Sequence, residues 1–358
     1  MTVHTVPATC RAARIVNPGP DFQLVIDEAF PTPQAGPGQI LVEMKASGVC
    51  QSDFHAANGD WGHPPNDGVT CMGHEGAGVV AAVGAGVTGW SVGDKAGCPP
   101  LYTACQACEF CVAGAESLCA KRELLAVHRN GTFCQYVAFD AKFAVPLPDN
   151  VSYEQAAPFM CSGGTAFAAL KAAGLKAGNY LVAIGSAGGV GHMVVQFAKA
   201  MGLHVIAVDV GADKEAGTLA CGAEAYINVT KEKDLPAKVK SLTGGLGAHG
   251  VIVTAGSGKA YESAPPLLRP LGVLVAVGLP AAGTAIAGAD PGLVCFSGLT
   301  IRGILINSRA DMEKAISYLE SGQVKEHIQV FPFAHLPQAV SDVGASRTQG
   351  RAVVVYAQ

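Results

Sequence analysis

The stretch from Leu181 to Asp209 constrains the fold more than any other part of the chain. It reads as an apolar strand, the glycine-rich turn SAGGVG, a helix, and a second strand that ends in an acid 18 residues after Gly191. Glycines in such a turn let the backbone approach a pyrophosphate at the N-terminus of the following helix. Because strand, turn, helix and acid all occur, a dinucleotide site is favoured over an ordinary strand–helix turn. The predicted cofactor contacts in the turn are Gly185, Gly188, Gly189, Val190 and Gly191.

The acid at the end of the second strand also bears on the choice of cofactor. A carboxylate at this place accepts hydrogen bonds from the adenosine ribose and repels a 2′-phosphate, so Asp209 favours NAD over NADP. Lys214, five residues later, is a second candidate for the ribose, although a solvated lysine on a helix face is the simpler interpretation of that residue alone.

Two patterns divide the chain, whose 358 residues are enough for two domains. The first 150 residues contain short β segments separated by Gly and Pro, which indicates a β-rich domain. After Ser152 strands alternate with helices, which predicts a doubly wound parallel sheet, an α/β arrangement. The chain then ends in an apolar strand that can return to the first domain. We therefore predict a β-rich domain over 1–161 and 305–358 and a dinucleotide-binding domain over 162–304.

A run of four cysteines with the spacing CxxCxxCx7C predicts a metal site in a lobe of about residues 98–120. Its members are Cys105, Cys108, Cys111 and Cys119. The alternative, two disulfides, requires an oxidising compartment. The first residues, MTVHTVPATCRAARIV, show no secretory signal, so we expect a cytoplasmic protein with free thiols.

Charge and hydropathy exclude two classes of partner. The net charge of -4 argues against nucleic acid, whose binders usually display a basic surface. Gly, Pro or charged residues interrupt every apolar stretch before the ~20 residues that a membrane span needs, so no membrane partner is expected.

A third set of residues suggests a second metal site. It comprises Cys50, His74 with the adjacent Glu75, and Cys161. Two thiolates and one imidazole leave a fourth zinc position open, as in catalytic sites. Taken singly, each residue is more often a buried thiol or a satisfied histidine, and spacing alone cannot show that they meet.

Four motifs together resemble the zinc-dependent medium-chain alcohol dehydrogenases. GVCQSDFHA, GHEGAGVV, the four-cysteine lobe and GSAGGVG occur in the order and spacing of that family, and the resemblance covers nearly the whole chain. Phrases such as NGDW and VQFAKAMG look closest to the yeast-type, NAD-linked branch. The resemblance implies a Rossmann-type domain and a GroES-like catalytic domain, and it implies interconversion of primary alcohols and aldehydes by hydride transfer to and from NAD.

The resemblance also implies two zinc ions per chain. Cys50, His74 and Cys161 would hold the catalytic zinc, with Glu75 close enough to enter the coordination sphere and Asp53 orienting His74. The four-cysteine site would be closed and structural.

A proton path and further cofactor contacts follow from the same resemblance. Ser52 would take the proton of the alcohol, the nicotinamide ribose would pass it on, and His55 would release it. Thr165 and Val277 would lie near the nicotinamide, and Arg351 would reach the pyrophosphate. Relatives commonly place Arg or His at the position of Gln51 to hold a phosphate, so this amide should bind the dinucleotide less tightly.

The expected substrate pocket differs from that of ethanol-specific relatives, which narrow it with two tryptophans and carry Thr in the proton path. This chain keeps Trp61, has Pro100 or its neighbour at the second place, and has the smaller Ser52. With Leu279 as a third wall, we expect substrates bulkier than ethanol.

The sequence is also compatible with two alternatives. One is a zinc-independent quinone or enoyl reductase on the same fold, which would not need the predicted ligands. The other is a non-catalytic NAD-binding protein, against which the intact ligands and proton path argue. By analogy with the family we expect a homotetramer, with a dimer as the alternative.

Overall fold

The structure is a computed structural model that describes residues 5–62 and 64–356. The chain divides into two compact units, and it crosses between them more than once. The first unit comprises 1–161, 308–320 and 328–358, and the second comprises 162–307 and 321–327. None of the helices in the described part of the chain is long and apolar enough to cross a membrane.

The N-terminal part of the first unit is rich in short strands. Its elements are β1 (Thr9–Val16), β2 (Gln23–Pro31), β3 (Gln39–Val49), α1 (Gln51–Asn58), β4 (Gly76–Val83), β5 (Lys95–Cys98), β6 (Leu101–Thr103), α2 (Glu109–Val112), β7 (Glu123–Leu124), β8 (Tyr136–Asp140), β9 (Val145–Pro146) and α3 (Tyr153–Phe159).

The second unit then alternates helices and strands. Its elements are α4 (Ser162–Ala173), β10 (Tyr180–Ile184), α5 (Gly191–Ala200), β11 (His204–Asp209), α6 (Glu215–Ala220), β12 (Ala225–Asn228), α7 (Leu235–Leu242), β13 (Ala248–Val253), α8 (Gly258–Ser263), β14 (Leu268–Ala276), α9 (Pro291–Ser297) and β15 (Thr300–Gly303).

The C-terminal part returns to the first unit. It contains α10 (Arg309–Glu320), β16 (Ile328–Pro332), α11 (Leu336–Gly344) and β17 (Arg351–Val355). β17 pairs antiparallel with β3, so the last strand does return to the first domain, as its apolar sequence suggested.

The main sheet of the first unit has the order β16-β17-β3-β4-β5-β9, and β8 also pairs with β3. β3 is the longest strand and is largely buried, because its apolar residues face covered surfaces on both sides. β3 and β4 run antiparallel with Ser47 opposite Gly76. The end of β3 therefore lies beside the start of β4, and this register decides which residues meet there.

The second unit contains a six-stranded parallel sheet of order β12-β11-β10-β13-β14-β15. The order reverses between β10 and β13, and ligands of open α/β sheets bind at such a switch, beyond the carboxyl ends of the strands. Buried branched residues such as Val182, Val208, Val251 and Leu274 fill the core of this unit. The fold class predicted from sequence is confirmed.

Two details differ from the expectation. Residues 305–307 and 321–327 cluster with the second unit, where Gln196 on α5 bonds to both the amide and the carbonyl of Lys325. The stretch expected as one helix after Ser152 forms two, α3 and α4, because Pro158 interrupts the backbone hydrogen bonding and the chain turns at Cys161.

Candidate active site

The register of β3 and β4 assembles the first half of a buried ligand cluster. β3 ends at Val49, immediately before Cys50, and β4 begins at Gly76, immediately after His74 and Glu75. The amide of Gly48 donates to the carbonyl of Glu75 at 2.8 Å, which extends the pairing up to the cluster. Residues that are 24 positions apart in sequence are therefore neighbours in space.

The second half of the cluster comes from α3, which packs against β3 and β4 and delivers Cys161 just beyond its C-terminus. Ligand atoms of Cys50, His74, Glu75 and Cys161 all lie within 4.8 Å of one another, and all four residues are buried. The structure thus brings together the dispersed residues that spacing alone could not connect.

The buried carboxylate of Asp53 holds His74 and the backbone around the cluster in place. Asp53 Oδ1 lies 2.8 Å from Nδ1 of His74 and also accepts the amide of Gly73 at 3.1 Å. Its other oxygen accepts the amide of Cys50 at 3.0 Å. Because the carboxylate accepts the proton on Nδ1, Nε2 of His74 is left to serve as the ligand atom.

The ionisation of the cluster favours a bound cation. A hydrogen bond from Cys161 lowers the pKa of the Cys50 thiol well below its ordinary value, and the charge of Arg351 adds to this. The same hydrogen bond raises the pKa of Cys161. Two adjacent buried thiols of this kind cannot both ionise unless a positive charge joins them, which a divalent metal supplies.

The carboxyl of Glu75 is the second sign that the cluster suits a metal. Burial raises its pKa well above the ordinary range. Neither of its oxygens has a hydrogen-bond partner within the described residues, although Arg351 Nη2 lies 3.3 Å from Oε1. Buried polar atoms without partners are rare, and they often mark the place of an ion. The donors therefore fit a zinc ion with two sulfurs, one nitrogen and a carboxylate within reach.

The four-cysteine lobe forms a second cluster in the same unit. Its thiol sulfurs also lie within 4.8 Å of one another, with sulfur–sulfur distances of 3.5 to 3.9 Å for three of the pairs. Tetrahedral zinc with bonds of ~2.3 Å places sulfurs about 3.8 Å apart, so the geometry fits this ion. Backbone amides of Ala107 and Cys108 lower the pKa of Cys105 to about 6, which favours the thiolate that the metal needs.

The glycine-rich turn of the second unit follows β10 directly, at the switch point of the parallel sheet. A Cβ on Gly191 would lie 1.9 Å from the carbonyl oxygen of Gly185, so only glycine allows this close approach at the start of α5. The turn thus leaves backbone near the N-terminus of a ten-residue helix, where a phosphate is stabilised by the helix dipole.

Asp209 lies at the end of β11 and is nearly buried. Its Oδ2 accepts the amide of Ala187 in the glycine-rich turn at 2.9 Å, and its Oδ1 lies 3.0 Å from Nζ of Lys214. The carboxylate therefore faces the turn that precedes α5, as a ribose-binding acid should.

The two residues of the expected proton path lie on α1, both half-buried. Ser52 and His55 are separated by one helical turn. Nδ1 of His55 lies 2.5 Å from Oδ2 of Asp60, and its ring packs against Trp61 with the centroids 5.6 Å apart.

The remaining predicted residues are distributed over both units. In the first unit, Gln51 donates to the carbonyl of Gly344 on α11, and Pro100 is buried between β5 and β6. In the second unit, Thr165 is buried on α4 and its hydroxyl has no hydrogen-bond partner among the described residues, Val277 follows β14, and Leu279 is half-exposed. Their contacts with cofactor or substrate stay predictions.

Sequence reasoning missed two residues beside these sites. Asp60 contacts His55, and the only signal for it is its place in the turn NGDW that follows α1. Thr132 accepts the amide of Glu75 through Oγ1 at 3.3 Å, and it lies too far away in sequence to be found from a pattern.

Comparison with protein families identifies both units. Residues 36–149 match the alcohol dehydrogenase GroES-like domain, and residues 189–321 match the zinc-binding dehydrogenase domain. The two matches cover most of the chain. The fold and the site thus define a zinc-binding dehydrogenase, which is an oxidoreductase.

Relatives narrow this class to a family. An alcohol dehydrogenase of Geobacillus stearothermophilus is 39% identical over 322 residues, which span 90% of this chain and 93% of that protein. One from Schizosaccharomyces pombe is 38% identical over 91% and 92% of the two chains. A crystal structure of an NAD-dependent alcohol dehydrogenase superposes with a TM-score of 0.87 at 29% identity, covering 96% of this chain and 99% of the other. The chain belongs to the zinc-type medium-chain alcohol dehydrogenase family.

Replacing Asp53 tests how the buried cluster is held. We expect Asp53→Asn to weaken zinc retention or turnover by about 10 to 100-fold, because His74 loses the acceptor that orients it. Zinc content after dialysis against a chelator, together with kcat, measures this. Asp67→Asn is the matched control, since Asp67 is exposed. Equal zinc retention and turnover in the Asp53 variant and the control would contradict the assignment.

Proposed function

We propose that this protein interconverts primary alcohols and aldehydes with NAD(H), using a zinc ion at Cys50, His74 and Cys161. A second zinc at the four-cysteine lobe is structural in this proposal. One observation carries it, namely the buried convergence of two thiols, an imidazole and a carboxylate whose atoms lie within 4.8 Å of one another. Three ligands and an adjacent carboxylate are the arrangement that catalytic zinc sites use to keep a position for substrate.

The chemistry divides between the metal and the chain. Zinc, when bound, acts as a Lewis acid that lowers the pKa of a substrate hydroxyl. The chain supplies two thiolates, and Asp53 keeps the imidazole of His74 in the ligating tautomer. Burial of all four cluster residues keeps water away from them, which strengthens their electrostatic interactions with a substrate.

In this proposal two side chains of α1 remove the proton of the alcohol. The hydroxyl of Ser52 is the group nearest in sequence to Cys50 that can accept and pass on a proton, and His55 lies one turn further along the same helix. An imidazole ring can accept a proton at one nitrogen and release one to water, so His55 suits the final transfer to solvent.

NAD is the proposed cofactor because of Asp209. Its carboxylate faces the glycine-rich turn, where it would repel a 2′-phosphate. The structurally similar NAD-dependent alcohol dehydrogenase supports the same choice.

We further propose that the chains self-associate in the cytoplasm as a homotetramer or homodimer. β15 is the edge strand of the parallel sheet and is exposed along its length. Leu271, Ile286 and Phe296 are each more than 80% exposed in the same unit. An open edge with exposed apolar side chains needs a partner to avoid nonspecific association.

The test of the proposed function is NADH formation from several primary alcohols, before and after metal removal. We expect two zinc ions per chain, loss of activity on chelation, and recovery on adding zinc. Activity that survives complete removal of zinc would indicate a zinc-independent reductase. NAD binding without turnover of any alcohol or aldehyde would indicate a non-catalytic protein.

The cofactor preference is tested by neutralising Asp209 while keeping its hydrogen-bond acceptor. We expect the wild type to prefer NAD, and we expect Asp209→Asn to raise the kcat/KM ratio of NADP to NAD by about tenfold or more, because the repulsive charge is removed. Asp234→Asn is the control. Asp234 caps the N-terminus of α7, and asparagine can serve as the cap in the same way. An unchanged ratio in Asp209→Asn would contradict the role of Asp209.

Substrate size is tested by ranking kcat/KM for ethanol, butanol and benzyl alcohol. We expect the larger alcohols to be preferred, because by the family resemblance Ser52 and Pro100 or its neighbour stand where ethanol-specific relatives carry bulkier side chains. Each buried methylene of substrate adds about 0.8 kcal/mol. A clear optimum at ethanol would show that the cavity is not enlarged.

A further inference from the structure

A carboxylate contacts the proposed proton acceptor from the turn that ends α1. The helix ends at Gly59, whose φ of 76° reverses the chain, and the amide of Asp60 then donates to the carbonyl of His55 at 3.0 Å. The same turn brings Oδ2 of Asp60 to 2.5 Å from Nδ1 of His55. Backbone hydrogen bonding and a left-handed glycine therefore build this contact.

The carboxylate of Asp60 is held at both oxygens. Nδ2 of Asn58 donates to Oδ1 at 2.6 Å, which leaves Oδ2 for His55. Although partial burial raises the pKa of Asp60, the hydrogen bonds from His55 and Asn58 lower it below its ordinary value of 3.8. Asp60 is therefore negatively charged at neutral pH.

A charged carboxylate determines which nitrogen of His55 can take up a proton. It has only acceptor oxygens, so Nδ1 of the ring must carry the proton that they share. In the neutral ring the lone pair then lies on Nε2. The imidazole and the carboxylate are 13% and 19% exposed, so they are screened by protein yet still within reach of water.

We propose that Asp60 is a positioning residue for proton release, which keeps the accepting nitrogen of His55 at Nε2 and stabilises the imidazolium that forms there. The inference rests on the proposed function, in which His55 ends the proton path. A proton from the preceding hydroxyl of the path joins Nε2, while the proton on Nδ1 stays hydrogen-bonded to Asp60. The imidazolium then returns one proton to water, so no electrons are transferred.

The packing of Trp61 supports a fixed ring. Its indole lies against the imidazole of His55 with an angle of 37° between the planes. A ring that Asp60 holds at one nitrogen and Trp61 covers on one side loses much of its freedom to rotate. The side chain is therefore oriented before any substrate binds, which lowers the reorganisation needed during proton transfer.

The experiment compares the zinc-loaded wild type with Asp60→Asn and Asp60→Glu in alcohol oxidation. We expect Asp60→Asn to lower kcat by about 10 to 100-fold, with zinc content and the Kd of NAD unchanged. Triethanolamine added as an external base should raise the rate of Asp60→Asn in proportion to its concentration and leave the wild type unaffected. Asp60→Glu should recover most of the lost rate, since it restores the charge.

Two further variants separate this role from a structural one. Asp67→Asn removes the same charge from an exposed position in the following loop and should keep the wild-type rate. In a His55→Gln background, Asp60→Asn should cost no additional rate, because Asp60 acts through His55.

The inference is overturned if Asp60→Asn keeps the wild-type kcat, if its loss comes with reduced zinc or NAD binding, or if its effect adds fully to that of His55→Gln. These outcomes leave the proposed function intact. A wild-type enzyme that oxidises no alcohol would instead refute the proposed function itself, before any variant is compared.

Discussion

The site depends on one buried carboxylate, Asp53, which accepts three hydrogen bonds. Two come from the backbone amides of Cys50 and Gly73, and the third from the ring of His74. A carboxylate that is only 1% exposed is costly unless it is fully paired. Its hydrogen bonds connect Cys50, the residue after β3, to Gly73 and His74, which precede β4. The same carboxylate therefore holds these two segments together and orients a proposed metal ligand.

The two clusters of the first unit follow different designs. The four cysteines of the lobe are close in sequence, and their sulfurs alone complete a tetrahedron, so no substrate can reach a metal there. The ligands around Asp53 come from three distant segments and include only three strong donors plus Glu75. Long-range packing is needed to assemble the second cluster, and a metal held by its three strong donors would keep a position for substrate in the proposed function. In the proposed function the lobe holds a structural metal, and the reaction takes place at the cluster of Cys50, His74 and Cys161.

The fold class and much of the candidate site could be predicted from sequence, because the motifs that indicate them are local. The glycine-rich turn with its flanking strands and the cysteine run each lie within about 30 residues. The alternation after Ser152 repeats a short strand–helix pattern, and the fold class follows from it. α1 was not predicted, since eight residues with a single apolar side chain larger than Ala show no helical period. The contact of Asp60 with His55 depends on how a helix ends, and that of Thr132 with Glu75 on sheet packing. The first contact has only the turn NGDW as a signal, and the second leaves no pattern in the sequence.

The most direct test of the central claim is zinc K-edge X-ray absorption on the purified enzyme. If Cys50, His74 and Cys161 bind one zinc and the four cysteines another, the spectrum will average about three sulfurs and one lighter nitrogen or oxygen ligand per zinc, with a histidine contribution in the outer shells. Replacing Cys161 by Ser should then remove sulfur from the average while the four-sulfur component stays. A spectrum of pure four-sulfur coordination, unchanged by Cys161→Ser, would contradict the assignment of the catalytic site.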